Sequence, residues 1–248
     1  MAKHRFYIPV HRWDPDALVL EDEEAHHCLD VLRCREGDRV FVFNGDGAEA
    51  EAEIVSTTKG AVRLRAQFVT SYPAPTFSLT LAQAVPKGKN MDLIVQKATE
   101  LGASRIVPLL SERTVVQIHG AEAAKKREKW QRVALEACKQ CGRSRVPEVA
   151  APLPVGNFVR QSRDPLQLVA AIGPEARSLK DVLAVRAQEG EPPPSAATLL
   201  VGPEGDFTSA ELATALAHGF LPLTLGPYVL RSETAAICAL SIAGHELG

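Results

Sequence analysis

The sequence predicts an α/β protein: a parallel sheet with helices on both faces, preceded by a smaller β-rich domain. Three observations predict it. From Phe77 onward, short apolar runs alternate with stretches of helical period, the pattern of βαβ units. Before Ser71 the pattern is mostly strand. Between them lies Ser71–Thr76 (SYPAPT), whose two prolines disfavour helix and demote strand. The expected domains are residues 1–72 and 76–248.

Each element has its own signal. Ala25, Cys28, Leu29 and Leu32 share one face of a helix expected over Glu21–Leu32. Arg39–Asn44 alternates, and Asn44-Gly45-Asp46-Gly47 is a hairpin turn signal. Ala48–Val55 and Ala61–Val69 supply two more strands, which suggests a meander within a small barrel. Past the linker, Phe77–Val85 reads as a strand. Asn90 is the expected cap of a helix that buries Met91, Ile94, Val95, Ala98 and Leu101 and stops at Gly102. Arg105–Leu110 is the next strand, and a long helix covers Ala121–Gln140. Leu166–Ile172, Thr198–Val201 and Leu221–Leu225 are short apolar runs bounded by turn residues, as in buried parallel strands. Gln188–Ala197 is a polar, Pro-rich loop. Thr208 and Glu211 have capping-box spacing for a helix ending near Gly219, and a last helix runs from Glu233 to His245.

Composition narrows the function classes. The chain has 248 residues, 46% hydrophobic, with a formal net charge of −2. No run of about 18 apolar residues reads as a membrane span. The opening MAKHRFYIPVHRW has no apolar h-region, and five scattered cysteines are no disulfide framework, so a cytoplasmic protein is expected. Charge is uneven: residues 76–150 hold 13 Lys+Arg against 7 Asp+Glu, a balance of +6, while each flank carries −4. Such a zone marks a phosphate-binding face or a solvated helix surface. Cys138-x-x-Cys141 lacks a second pair, so packing is expected there and no metal.

The richest stretch is Leu199–Leu240. Two apolar runs end in Gly-Pro loops, Gly202-Pro203-Glu204-Gly205 and Gly226-Pro227, and Ala171-Ile172-Gly173-Pro174-Glu175 echoes the first. Loops at the carboxyl ends of parallel strands are where open α/β sheets bind ligands. Glycine at 202 and 205 permits close backbone approach, with a positive φ expected at Gly205. Leu225, Val229 and Leu230 suit a flat heteroaromatic ligand. The pattern is neither a Walker A loop nor GxGxxG, and ordinary βα turns are the alternative.

LLVGPEG, LGPYVLRSETA, KNMDLIVQKATELG and ACKQCGRSRVPE together resemble the RsmE family of 16S ribosomal RNA uracil-N3 methyltransferases, in the SPOUT superfamily. HHCLDVLRCREGDRVFVFNGDG is similar to that family's RNA-binding barrel. The resemblance spans almost the whole chain. It implies S-adenosylmethionine as methyl donor, a PUA-like β-barrel over 1–72, and a SPOUT methyltransferase domain with a deep trefoil knot over 76–248. It also implies a homodimer and ribosomal RNA or the small ribosomal subunit as partner, with no membrane. The implied cofactor contacts are Ile172, Gly173, Val201, Gly202, Pro203, Glu204, Gly205, Leu225, Gly226, Val229, Leu230 and Thr234. Arg231 is expected to stabilise charge on the reacting base, with Glu204 or Glu233 as general base and Glu233 as the nearest partner able to orient Arg231. Arg5, Arg33, Lys87, Lys89, Arg143 and Arg145 are the expected RNA contacts. Two positions depart from the family: Asp206 stands where a second glycine is common, and Tyr228 where a basic residue is common. Two rivals remain: a related SPOUT enzyme acting on another RNA, and an RNA-binding assembly factor that has lost catalysis.

Overall fold

Alternation of apolar residues along three strands builds the first sheet. The computed structural model describes residues 4–114, 118 and 120–248. It divides into two compact units, one of 1–74 with 138–146, the other of 75–137 with 147–248. The first unit holds β1 (Arg5–Tyr7), β2 (Val19–Glu21), β3 (Arg39–Phe43), β4 (Ala48–Thr58) and β5 (Ala61–Ser71). Their order is β1-β3-β4-β5-β2, with β1 parallel to β3 and the other pairs antiparallel. Val40 and Val42, Ala50, Ala52 and Ile54, and Val62 and Leu64 all point into one core. Register shifts within the β4–β5 pair let these eleven-residue strands bend.

The helix expected over Glu21–Leu32 is broken in two. α1 covers Asp22–His26, and a π-helical turn covers His27–Val31. The cause is the exit: Leu32 N–H reaches back to His27 O, Cys34 N–H reaches Cys28 O, and Arg33 takes φ 57. The wider turn carries Cys28 and Cys34 into the core.

The second segment of this unit starts with the last turn of a later helix and is bonded to the sheet. Gly47 lies at φ 96, and a Cβ there would meet the Arg145 guanidinium at 2.5 Å, so the turn needs glycine. Arg145 pairs with Asp46 and donates to Tyr72 O at 2.9 Å. Glu49 on β4 accepts from Ser144 Oγ (2.5 Å), Tyr72 Oη (3.0 Å) and Arg5 Nη1 (3.1 Å).

The second unit contains β6 (Ser78–Ala84), α2 (Asn90–Glu100), β7 (Arg105–Leu110), α3 (Ala121–Cys141), β8 (Glu148–Val149), β9 (Leu153–Pro154), α4 (Val155–Gln161), β10 (Leu166–Ala170), α5 (Leu179–Gln188), β11 (Ala196–Val201), α6 (Ser209–Ala217), β12 (Leu221–Leu223) and α7 (Ser232–Leu247). All strand pairs are parallel, in the order β12-β10-β11-β6-β7-β8, with β9 also on β7. Ala82, Ala84, Val107, Leu109, Val169 and Leu200 form one face, packed by α4 and α6. Their neighbours in sequence face the other way, where α2 and α7 pack together and α7 meets β6 and β11. The expected α/β class with a parallel sheet and helices on both faces is what the chain adopts.

Several boundaries move for local reasons. Lys89, not Asn90, is the N-cap of α2, and no side chain caps it. Gly102 takes φ 94 just past the helix, as a C′ glycine does. β10 stops at Ala170 and β12 at Leu223, which leaves Ala171–Ile172 and Thr224–Leu225 in loops. Thr208 and Glu211 make both bonds of the capping box.

Burial alone would push the Glu49 carboxyl up, but hydrogen bonds from Ser144, Tyr72 and Arg5, with the Arg5 charge, hold its pKa below the ordinary 4.5. A depressed carboxylate adds stability that is complete above the unfolded pKa and is lost as pH falls through the folded one. Glu49→Gln should therefore cost about 1–3 kcal/mol near neutral pH. The deficit should close on acidification below 4.5, as followed by urea unfolding at a series of pH values.

Candidate functional site

Three loops leave the carboxyl ends of adjacent strands β12, β10 and β11, and together they enclose a cleft of about 110 Å³. Ala171 and Ile172 come from the loop after β10, Gly202–Glu204 and Asp206 from the loop after β11. Leu225, Gly226 and Tyr228–Leu230 come from the loop after β12, and Ser232 and Ala235 from the start of α7. The walls are apolar or small, and Glu204 and Asp206 are the carboxylates among them.

The floor is held by a side chain that periodicity does not single out. Gln83, fully buried near the end of β6, sits on the face that meets α7. Its Nε2 donates to Ala84 O at 2.8 Å and to Ser232 Oγ at 2.9 Å. Ser232 Oγ donates in turn to Gly202 O at 2.7 Å. One amide and one hydroxyl thus tie β6, the loop after β11 and the first turn of α7. The signal is the one amide side chain in the run Leu79–Val85.

The loop after β11 departs from expectation in its glycines. A Cβ on Gly202 would meet Asp206 Oδ1 at 3.0 Å and Phe207 N at 3.3 Å, so this position is tight. Gly205 is not: a Cβ there meets only Arg113 carbons, the nearer at 3.6 Å, and its φ lies outside the left-handed region. That region is taken by Asp206, at φ 61. Aspartate tolerates it better than most residues, and Asp206 Oδ1 accepts from Phe207 N–H at 2.7 Å. Asp206 thus meets a left-handed backbone demand at the position where the resemblance implies a second glycine. Arg113 Nη1 donates to Gly205 O at 2.6 Å, and Glu211 accepts from Ser111 Oγ and Glu112 N, both at 3.0 Å.

The expected cofactor residues divide. Ile172, Val201, Gly202, Pro203, Glu204, Leu225, Gly226, Val229 and Leu230 line the cleft, whereas Gly173, Gly205 and Thr234 do not. Ser232 and Asp206 line it without having been expected. Glu204 Oε1 accepts from Lys87 N–H at 2.9 Å, which joins the loop after β6 to the cleft. Arg231 is the N-cap of α7, exposed, and its guanidinium has no partner among the described residues. Glu233 is half-buried and does not pair with it, so the expected orienting contact is not made.

The expected RNA contacts divide too. Arg33, Lys87 and Lys89 are exposed. Arg5 is only 13% exposed, paired with Glu49 and set 4.9 Å over the Phe43 ring, so it is a packing cation. Arg145 is spent on Asp46 and Tyr72, and Arg143 is half-buried, with its carbonyl accepting from Arg5 at 3.3 Å. Within the basic zone, Lys129 pairs with Asp92, Lys139 with Glu24, and Arg127 donates to Val149 O. Cys138 is buried, which pushes its thiol up to about 12, while Cys141 is exposed. No cluster of metal-ligating side chains occurs among the described residues.

Comparison with known proteins supplies an independent line. The family model described as RNA methyltransferase domain matches residues 73–244, and that described as RNA methyltransferase PUA domain matches 20–67. The chain is 33% identical to ribosomal RNA small subunit methyltransferase E of Bacillus subtilis, covering 90% of this chain and 88% of that one. A Legionella pneumophila structure with bound cofactor SAM superposes with a TM-score of 0.87 at 36% identity, covering 99% and 98% of the two chains. The small subunit methyltransferase E of Neisseria gonorrhoeae, bound to S-adenosyl methionine, gives 0.85 at 30% identity, covering 97% and 96%. With cleft, sheet and both domain models in agreement, the chain belongs to the RNA methyltransferase family.

Proposed function

We propose that this chain transfers a methyl group from S-adenosylmethionine to N3 of a uridine in 16S ribosomal RNA. The observation that carries the reading is the three-loop cleft, in a chain 36% and 30% identical to two proteins solved with that cofactor. The cleft's chemistry fits the cofactor. Aliphatic walls at Ile172, Leu225, Val229 and Leu230 suit a flat base, and the carboxylates of Glu204 and Asp206 suit a sulfonium cation. Val201–Gly205, Gly226 and the first turn of α7, with Gly173 and Thr234 close by in sequence, offer backbone and side-chain polar groups. When bound, the cofactor supplies a methyl group already activated on a sulfonium leaving group.

The remaining chemistry falls to the protein. Uracil N3 carries a proton and lies on the Watson–Crick edge, so the base must be unpaired before it reacts. Proton loss spreads negative charge over N3 and its flanking carbonyl oxygens. An arginine remains protonated throughout and offsets that charge, which is the role we assign to Arg231. Glu204 lies at the cleft, with Oε1 on Lys87 N–H, and is our preferred base over Glu233.

The same reading assigns RNA holding to a PUA-like barrel over 1–72 and methyl transfer to a knotted SPOUT domain over 76–248. It also carries a homodimer in the cytoplasm, with Arg33, Lys87 and Lys89 as phosphate contacts. Mapping the modified nucleotide after incubation with the small-subunit RNA tests the proposal. A methyl on uridine N3 supports it; a methyl on another RNA or another atom overturns it.

Two variants test the site. Ser232→Ala removes the hydroxyl bridge and leaves Gln83 Nε2 and Gly202 O joined only by their direct 3.5 Å bond. It should lower stability by about 1–3 kcal/mol and weaken S-adenosylmethionine binding in calorimetric titration. Arg231→Ala should bind the cofactor normally yet slow single-turnover methyl transfer about 10²–10³-fold. Loss of transfer only in step with stability would make that arginine structural.

A further inference from the structure

Tyr228 carries the one aromatic ring among the described residues that line the cleft. The residue is 79% exposed. No ring stacks on it among the described residues, and none of them hydrogen-bonds its hydroxyl. The ring is free, but its loop is not. On one side Gly226 takes φ 121, and Thr224 Oγ1 bonds both its N–H and its carbonyl at 3.3 Å. On the other, Ser232 is pinned to Gly202 O. Three residues past the ring, the Arg231 guanidinium is also exposed and without a partner among the described residues.

An unspent aromatic face that lines the cleft, and an unspent permanent cation three residues along the same loop, match a nucleobase that develops negative charge. Resting on the methyl-transfer reading for the identity of that base, we infer that Tyr228 is the platform on which the target uracil stacks once it leaves the RNA. Stacking uses the face of the base and leaves its edge open, so N3 and its flanking carbonyls stay accessible to the methyl donor and to Arg231. A ring at the destination also returns part of the stacking lost on extrusion. Because every base has a π-face, the contact positions the base without reading its identity. The phenol hydroxyl takes no part. Where the family commonly has a cation, this chain holds the base by a ring.

The test uses the full chain with 5-iodouridine-substituted 16S RNA, which photo-crosslinks to rings stacked on the halogenated base, together with Tyr228→Phe and Tyr228→Ala. The expected crosslink is at Tyr228. Tyr228→Phe should transfer methyl at nearly the wild-type rate. Tyr228→Ala should lose about 10- to 100-fold in transfer at limiting RNA, while its S-adenosylmethionine affinity stays within about threefold and its sedimenting mass is unchanged. Three results would overturn the inference. Crosslinks that all fall elsewhere would exclude the stack. An equal loss of cofactor affinity would mean that the ring packs on the cofactor. A changed mass would mean that it packs against a second copy of the chain. The crosslink does not require transfer, so a crosslink at Tyr228 without methylation would overturn the reaction and not the platform.

Discussion

A buried carboxamide can find hydrogen bonds only inside the protein, and the Gln83 nitrogen makes its bonds at the point where the site is assembled, while its Oε1 has no partner among the described residues. β6 lies between β11 and β7, and the strand's alternation aims residue 83 at the first turn of α7. Its donors reach Ala84 O and Ser232 Oγ, and the serine passes the bond on to Gly202 O. A low-dielectric surrounding makes each bond costly to leave unmade, so the three elements hold one another in place. Next to that junction in sequence stand the tight position of Gly202, the left-handed turn at Asp206 and Arg231 at the helix start. Glu204 extends it sideways, drawing the loop after β6 onto the same edge through Lys87 N–H.

The first unit is organised by a charge in the same sense. Glu49 gathers donors from β1, from Tyr72 at the end of the sheet and from Ser144 in the returning segment 138–146. Arg145 then closes over Gly47. A run that looks like a basic patch in the sequence thus consists largely of cations engaged within the fold. Counting charges along the chain locates positive residues but says nothing of which are already neutralised, and here Lys87, Lys89 and Lys125 of that run are left exposed.

Local chemistry was legible where it acts over a few residues. The Thr208–Glu211 capping box, the Gly102 helix stop, the β7 limits and the Gly-Pro loops at strand ends need only neighbours in sequence, and the sequence-based reading found them. The helix α5 carried such a signal too, since Ser178 accepts from Asp181 N–H as an N-cap, and it went unread. What escaped depends on distant partners. β1 and β2 have three residues each and exist because β3 and β5 offer pairing. The roles of Arg5 and Arg145 depend on Glu49 and Asp46, and those of Gln83 and Ser232 on each other across 149 positions. The family pattern placed glycine at 206, and only the backbone angle shows why that position matters more than Gly205.

Hydrogen exchange of the full chain, with and without S-adenosylmethionine, tests most directly the claim that the three loops and the start of α7 form the cofactor site. Protection gathered at residues 171–173, 201–206 and 225–235 is the expected result, since one bound molecule would order all three loops through the Gln83–Ser232–Gly202 junction. Binding that leaves those segments unprotected would contradict it, above all if protection fell instead at the separate cavity around Arg177, Arg186 and Gly219.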